Sequence, residues 1–417
     1  MRAGTVIVGT GQAGFQVAAS LRSEGYQEPV TLIGDEQSIP YQRPPLSKAF
    51  LTGAETSESI ELRPGAFYHD HDILLLAGET VASIERREHR IALASGRRVP
   101  YEKLVLAVGA RNRKLPVPGA NLDGVLYLRS LDEATDLKER LADAKEIVVI
   151  GGGFIGLEVA AVARSLGKSV TVVEVLPRLM SRVVAPIISE FFRDLHANRG
   201  VRILCDECVS EIAGSGGKTE KVVLSGGTTY PADLVFVGVG VVPNVELAGD
   251  AGLAIANGIV VGEYLETADE DIFAIGDCAE HPCIFAGARI RLESVQNAAD
   301  QAQSAAATIA GRRKPYRALP WFWTDQFDVK LQMAGISHGH DRVVTRGNSE
   351  SRKLSAFYFK ESRLVAIDSI NRPVDHIIGR KLIAAGVPLT PEQVADESVD
   401  LRKVEQLFAH ASRLESS

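Results

Sequence analysis

Three glycines in the pattern Gly9-x-Gly11-x-x-Gly14, with an acid at Asp35, have the types and spacing to hold a dinucleotide. The first glycine permits a tight turn, the second lets backbone amides approach a pyrophosphate, and the third lets a helix pack closely on a strand. A carboxylate about twenty residues on is placed to accept hydrogen bonds from a ribose diol. The flanking residues supply the elements such a site needs. An apolar β-branched run, Val6-Ile7-Val8, leads into the glycines, an Ala-rich helical segment runs to Gly25, and a second apolar run from Val30 to Ile33 stops just before Asp35. Strand, glycine turn, helix, strand and acid together distinguish this stretch from a glycine turn that merely packs. The helix N-terminus would direct partial positive charge and free N–H groups at the phosphates.

The same arrangement returns. Ile147 to Ile150 enters Gly151-x-Gly153-x-x-Gly156, a helix beginning with Leu157-Glu158 closes at Gly167, and Val170 to Val173 ends at Glu174. In both copies the closing glycine lies eleven positions beyond the third motif glycine, so the helices match in length. Two dinucleotide sites follow. At the second, Glu174 would accept hydrogen bonds from an adenosine 2′-OH and repel a 2′-phosphate, which favours NADH over NADPH, with Arg178 and Arg182 nearby as the opposing signal.

Other residues could do chemistry. Pro40-Tyr-Gln-Arg43-Pro44-Pro45-Leu-Ser47-Lys48 is stiffened by its prolines ahead of a short helix expected near Leu46, a way to hold the Lys48 ammonium at one point. It could equally be a surface turn with Lys48 in water. Gly276-Asp277 follows a buried-type strand and could offer a carboxylate to a polyol chain, and is also a common turn. Ser294 or Asn297 would cap a helix over Ala298–Ile309, whose N-terminus stabilises anionic charge. Cys205-Asp-Glu-Cys208 sits in strand or turn sequence, with acids between the two thiols that raise their pKa, and no second pair completes a zinc site. We therefore expect neither a redox dithiol nor a metal there.

The chain has 417 residues, 45% of them hydrophobic, which is enough for two or three domains. A net charge of −7 argues against nucleic acid or an anionic membrane as partner. No uncharged apolar run approaches the roughly 18 residues of a membrane span, and the first strand starts too early to leave room for a signal peptide. Four cysteines make no secreted disulfide framework, and the expected location is cytoplasmic. From Pro320-Trp321-Phe-Trp323-Thr-Asp-Gln onward no glycine fingerprint recurs. Strand-like segments (Val329–Met333, Leu354–Phe359, Leu364–Ile370) and helical ones (Asp375–Ala385, Val399–Ala411) suggest a separate α+β domain. The two tryptophans usually belong to a core.

V-G-T-G-x-A-G, P-Y-Q-R-P-P-L-S-K, V-I-G-G-G-F-I-G-L-E-V-A-A, A-I-G-D-C-A, E-S-V-Q-N-A and P-W-F-W-T-D-Q occur in this order across most of the chain. In these motifs the chain resembles the flavoprotein reductases that feed [2Fe-2S] ferredoxins in bacterial oxygenase systems, the family of putidaredoxin reductase and biphenyl dioxygenase ferredoxin reductase. The resemblance implies an α/β fold with two Rossmann-like, glutathione-reductase-like dinucleotide-binding domains and a C-terminal α+β domain. FAD would occupy the first site and NADH the second, with residues 1–114 and 241–318 forming the FAD domain, 115–240 the NADH domain and 319–417 the C-terminal domain. By position, Gly9, Gly11, Ala13, Gly14, Asp35, Arg43, Lys48, Val81, Arg129, Asp277, Val295 and Trp321 correspond to the FAD side. Gly151, Gly153, Ile155, Gly156, Glu158, Glu174 and Gly238 correspond to the NADH side. The middle of Ala107-Val108-Gly109, where relatives often carry Thr, departs from the pattern.

The implied chemistry is hydride transfer from nicotinamide to flavin N5, with the rings stacked at about 3 to 3.5 Å and the protein supplying placement and charge. Lys48 and Glu158 would form a catalytic charge pair beside the flavin. The helix beginning near Val295 would direct its positive end at the flavin N1/O2 edge. Disulfide reductases of this architecture carry cysteines near the Tyr41–Lys48 segment, and this chain has none before Cys205. Electrons would therefore leave one at a time to a [2Fe-2S] ferredoxin serving a cytochrome P450 or a Rieske-type oxygenase. Trp321 and Trp323 would line the exit, and Arg312-Arg313-Lys314 with Arg317 would meet an acidic partner or simply be a solvated helix end. The rival readings are an NADH oxidase, a monodehydroascorbate-type reductase, or an apoptosis-inducing-factor-like flavoprotein that uses NADH binding as a switch.

Overall fold

The computed structural model describes residues 3–404 and 406. Its first sheet is built on the strand Thr5–Val8, with Val30–Gly34 and Ile73–Ala77 on one side and Lys103–Leu106 and Ile272–Ala274 on the other. All neighbours pair in parallel. The second sheet repeats the plan around Glu146–Ile150, flanked by Ser169–Val173 and Arg202–Leu204 on one side and by Leu234–Val237 and Val125–Leu126 on the other. Both central strands are buried throughout or nearly so, which is why each reads as a continuous apolar run rather than an alternating one.

The repetition extends to the crossovers. Each sheet inserts a three-stranded antiparallel unit before a late strand, Val81–Pro100 ahead of Lys103–Leu106 in the first and Val209–Pro231 ahead of Leu234–Val237 in the second. The chain passes between the two units along Ala110–Asn112 and Val241–Pro243, which pair antiparallel. The strand at Ile272–Ala274, far along the sequence, thus completes the first sheet after the second is finished.

The two fingerprint helices are Gln12–Ser23 and Phe154–Ser165. A third helix, Val295–Ile309, packs against the first, through small faces such as Ala302, Ala305 and Ala306 that let the backbones approach. Its cap is Ser294, whose hydroxyl accepts from the Asn297 N–H. The helix expected near Leu46 begins two residues earlier as a 3₁₀ turn, Pro44–Ser47, because Pro44 and Pro45 preset the first helical dihedrals, and an α-helical turn follows at Ala49–Thr52.

The C-terminal unit is a five-stranded antiparallel sheet ordered Trp321–Gln326, Val329–Gly335, Arg363–Ile370, Lys353–Lys360 and Arg342–Asn348, with the helix Pro373–Ala385 on one face. The strands Trp321–Gln326 and Arg342–Asn348 carry no clear strand pattern in the sequence, because charged and polar residues break their apolar alternation. The opposite face joins the second sheet's helices in one core that includes Phe192, Leu157, Leu331 and Tyr358. The helical segment expected over 399–411 is helical at 401–404, and its end lies outside the described residues.

Candidate functional site

The two glycine turns can be tested by what an added methyl group would meet. At Gly9, with φ +111°, a Cβ would come within 2.2 Å of the Ala107 carbonyl, and at Gly14 within 1.8 Å of the Gly9 carbonyl. The second copy repeats this at Gly151 against Gly238 (2.4 Å) and at Gly156 against Gly151 (2.1 Å). The middle glycines differ. A Cβ at Gly11 or Gly153 would meet nothing within 4 Å. First and third glycines therefore serve packing, whereas the middle ones face open space. Neither fingerprint helix has a side-chain cap, so the N–H groups of its first turn look into that space. This combination of open cradle, uncapped donors and helix dipole fits a pyrophosphate at both sites.

Around the first turn the structure assembles residues from distant parts of the chain. Gly276, at φ +75°, packs against Ala13 and Ala298, which sets Asp277 beside the N-terminus of the first fingerprint helix. Asp277 Oδ2 pairs with Arg129 Nη2 at 2.7 Å. Arg43 donates to the Arg129 carbonyl and pairs with Glu36 at 2.6 Å. Tyr41 O–H also donates to Glu36 and accepts from the Leu131 N–H at 2.9 Å. Burial, then the Glu36 charge, pushes the Tyr41 phenol well above its usual value, so it stays protonated as that donor. Asp35 is exposed at the end of its strand, and the Glu79 N–H closes onto Gly34 beside it, which brings Val81 near the same edge. Val295 is the first residue of the capped third helix, next to Gln296, whose side chain accepts from the Trp321 N–H at 3.0 Å.

At the second turn, Glu174 is buried and its two carboxylate oxygens accept from the N–H groups of Gly152 (2.7 Å) and Leu176 (2.8 Å). Gly238 lies against Gly156. Ile155 is exposed at the start of the helix, as a residue facing a ligand would be. Arg178 is committed to the carbonyls of Val184 and Ser181 and the hydroxyl of Ser189, so its guanidinium is turned into its own loop.

Between the two turns lies a buried carboxylate. Glu158, 2% exposed, receives Lys48 Nζ at 2.7 Å and Ser47 Oγ at 2.5 Å on Oε2, and Thr324 Oγ1 at 2.6 Å on Oε1. Ser47 and Thr324 were legible in the sequence only as letters of longer motifs, since no local spacing signals a contact over 111 or 166 positions.

Cysteine chemistry is absent from this site. All four thiols are free. Cys205 is pushed up by burial and by Glu174 and Asp206, and Cys278 is fully buried with its pKa raised to about 11 by burial. The described residues hold no cluster of three or more His, Cys, Asp or Glu side chains able to bind a metal, and no helix among them is long and apolar enough to cross a membrane.

The basic run after the third helix is largely paired with acids, with Lys314 exposed. Arg312, Arg313 and Arg317 pair with Glu24, Glu266 and Glu263. Trp321 and Trp323 lie with their ring centres 5.5 Å apart and their planes tilted by 30°, and Arg380 lies 4.8 Å over Trp321.

Comparison with known proteins agrees with this geometry. Residues 4–302 match the pyridine nucleotide-disulphide oxidoreductase family, and residues 321–405 match the reductase C-terminal family. The chain is 49% identical to rhodocoxin reductase of Rhodococcus erythropolis over 95% of this chain and 93% of that one. It superposes on the ferredoxin reductase of the CYP199A2 system of Rhodopseudomonas palustris with a TM-score of 0.95 at 50% identity, covering 97% of this chain and 100% of the other. It also superposes on the covalent putidaredoxin reductase–putidaredoxin complex with a TM-score of 0.95 at 40% identity, covering 98% and 99% of the two chains. With paired nucleotide cradles, a carboxylate–ammonium pair between them and a reductase C-terminal domain, the chain belongs to the pyridine nucleotide-disulphide oxidoreductase family.

Proposed function

We propose that this protein is an FAD-dependent NADH:ferredoxin reductase that passes electrons singly to a [2Fe-2S] ferredoxin serving a cytochrome P450 or Rieske-type oxygenase. The observation that carries the reading is the Lys48–Glu158 pair set between two open, uncapped glycine cradles, with no thiol pair beside it. The relatives' names point the same way, one of them a reductase solved in covalent complex with putidaredoxin. Residues 1–114 and 241–318 would form the FAD domain, 115–240 the NADH domain and 319–417 the C-terminal domain.

FAD held at the first cradle would supply the two-electron-to-one-electron chemistry that joins a nicotinamide to an iron–sulfur acceptor. The protein's part is placement. Gly9, Gly11, Ala13 and Gly14 would hold the FAD pyrophosphate on the first helix N-terminus, Asp35 its adenosine ribose, and Asp277, held by Arg129, the ribityl chain. Arg43 and Val81 would line the same side. Gly151, Gly153, Ile155, Gly156 and Gly238 would hold NADH, with Glu174 on the adenosine 2′-OH. Arg178 is unable to meet a 2′-phosphate while it bonds its own loop, which favours NADH. Lys48 would sit at the flavin edge with its charge balanced by Glu158, and the Val295 helix would direct its dipole at the N1/O2 edge. Trp321 would cover the flavin on the side from which the ferredoxin takes electrons. Four free cysteines suit a reducing compartment, and we place the protein in the cytoplasm.

The test is direct. Purified yellow protein mixed with NADH should oxidise it rapidly with a [2Fe-2S] ferredoxin and slowly with oxygen. Fast oxygen consumption without ferredoxin would establish an oxidase, fast turnover with a small organic radical acceptor a monodehydroascorbate-type reductase, and slow oxidation with every acceptor an NADH-binding switch.

A further inference from the structure

Glu158 is gripped by three donors from two parts of the chain, and one of them comes from the C-terminal sheet. Thr324 is fully buried and gives its only proton to Glu158 Oε1 at 2.6 Å. Behind it, Gln326 Nε2 reaches Thr324 Oγ1 at 3.4 Å, and Gln326 Oε1 lies 2.9 Å from His196 Nε2. The amide oxygen faces the imidazole, so His196 must carry its proton on Nε2 and donate. Burial, opposed by the Gln326 contact and reinforced by Arg199, lowers the His196 pKa to about 4, so the ring is neutral and has one donor to give. Every member of the chain His196, Gln326, Thr324 therefore donates in one direction, toward the carboxylate. Aligned donors polarise one another in a buried setting.

The opposite oxygen is the one that meets the FAD-side segment. Oε2 accepts both Ser47 and Lys48, and without a partner on Oε1 the side chain would leave a buried charged oxygen unpaired. Rotation about the Glu158 side chain would then trade one partner for another. Thr324 removes that choice.

We propose that Thr324, backed by Gln326 and His196, is a positioning residue for hydride transfer: it fixes the Glu158 carboxylate so that Oε2 stays on Lys48. The C-terminal domain would then take part in flavin reduction, beyond any part in meeting the electron acceptor. The inference rests on the reductase reading given above, and it is separable from it.

The kinetic test uses the intact FAD-loaded protein in two backgrounds, wild type and Glu158→Gln. Thr324→Val keeps the shape and removes the proton, and should slow NADH-driven flavin reduction in stopped flow roughly tenfold to a hundredfold, the cost of a misplaced group near the reacting atoms, with NADH affinity nearly unchanged. Thr324→Ser restores the hydroxyl and should recover most of the rate. In a Glu158→Gln background Thr324→Val should add less than about a twofold further effect, because the two act through one contact. A crystal structure of flavin-free Thr324→Val should show Glu158 rotated away from Lys48; Thr324→Ala serves if the valine variant does not fold. A wild-type rate in Thr324→Val, an undisturbed Lys48–Glu158 contact in that crystal, or an equal loss in the Glu158→Gln background would each overturn the proposal. Wild-type protein that holds FAD but is not reduced by NADH would instead overturn the parent reading, and the flavin-free crystal would still decide the placement.

Discussion

Lys48 Nζ stands 2.7 Å from Glu158 Oε2, although the two residues are 110 positions apart in the chain. Lys48 comes from the proline-stiffened segment after the first fingerprint, Glu158 from the helix of the second, so the pair joins the two nucleotide units. Lys48 keeps about a fifth of its side-chain surface in solvent, whereas Glu158 is enclosed. We expect Lys48→Ala and Glu158→Gln each to slow flavin reduction by NADH about tenfold or more, as loss of a preorganised charge does in other active sites. Unchanged single-turnover rates would remove the pair from the mechanism.

The middle and third glycines should fail in different ways. Gly11 has an ordinary extended backbone, and its Cβ would point into open space, so Gly11→Ala should leave the stability of the flavin-free protein within about 0.5 kcal/mol while weakening FAD binding. Gly14→Ala drives a methyl group into the Gly9 carbonyl and should cost about 3 kcal/mol or more, or prevent folding. Melting of the flavin-free variants, with FAD titration of those that fold, separates the two. Equal behaviour would refute the assignment.

Glu174 bears on coenzyme choice. Glu174→Gln keeps the size but removes the charge that opposes a 2′-phosphate, and only its amide oxygen can accept, so the N–H of either Gly152 or Leu176 loses its acceptor. The ratio of kcat/KM for NADH over NADPH should fall about tenfold, equivalent to about 1.4 kcal/mol, with some loss of stability. Steady-state kinetics with both coenzymes decide it; an unaltered ratio would show that another residue reads the ribose.

A buried acid in the C-terminal domain should make stability depend on pH. Asp368 accepts from Tyr358 O–H, which in turn accepts from the Ala185 N–H at 2.9 Å, so this link ties the C-terminal sheet to the second nucleotide unit. Burial raises the Asp368 pKa to about 7, against about 3.9 in an unfolded chain. The folded state therefore holds the extra proton between those values. Stability should fall as pH rises from about 4 to 7, by up to about 1.4 kcal/mol per unit, and level off above. Asp368→Asn cannot titrate, and denaturant melts across this range should lose that component of the slope. A variant with the wild-type slope would locate the effect elsewhere.

How much of this was legible in the sequence follows the range of the interactions. Gly9, Gly11 and Gly14 act within one turn, and the run before them and the acid after them are local, so the strand–turn–helix–strand units and their duplication could be read from spacing alone. The cap of the third helix was legible as one of two candidates, Ser294 or Asn297, whereas the raised pKa of Cys205 comes first from burial, which local spacing does not show. Resemblance in ordered motifs then supplied Lys48 and Glu158 as a charge pair and Arg129 and Asp277 as candidates, without saying that the latter two would touch. Only the tertiary structure decided that Asp277 takes Arg129, that Arg43 is shared between Glu36 and the Arg129 carbonyl, and that Arg312, Arg313 and Arg317 are spent on nearby acids. It alone brought Thr324 and Ser47 onto one buried carboxylate. The reason is physical: backbone turns and helices are selected by neighbours a few residues away, whereas a charge taken out of water must be matched by whatever donors the folded chain carries to it, and that choice is written in packing, not in spacing.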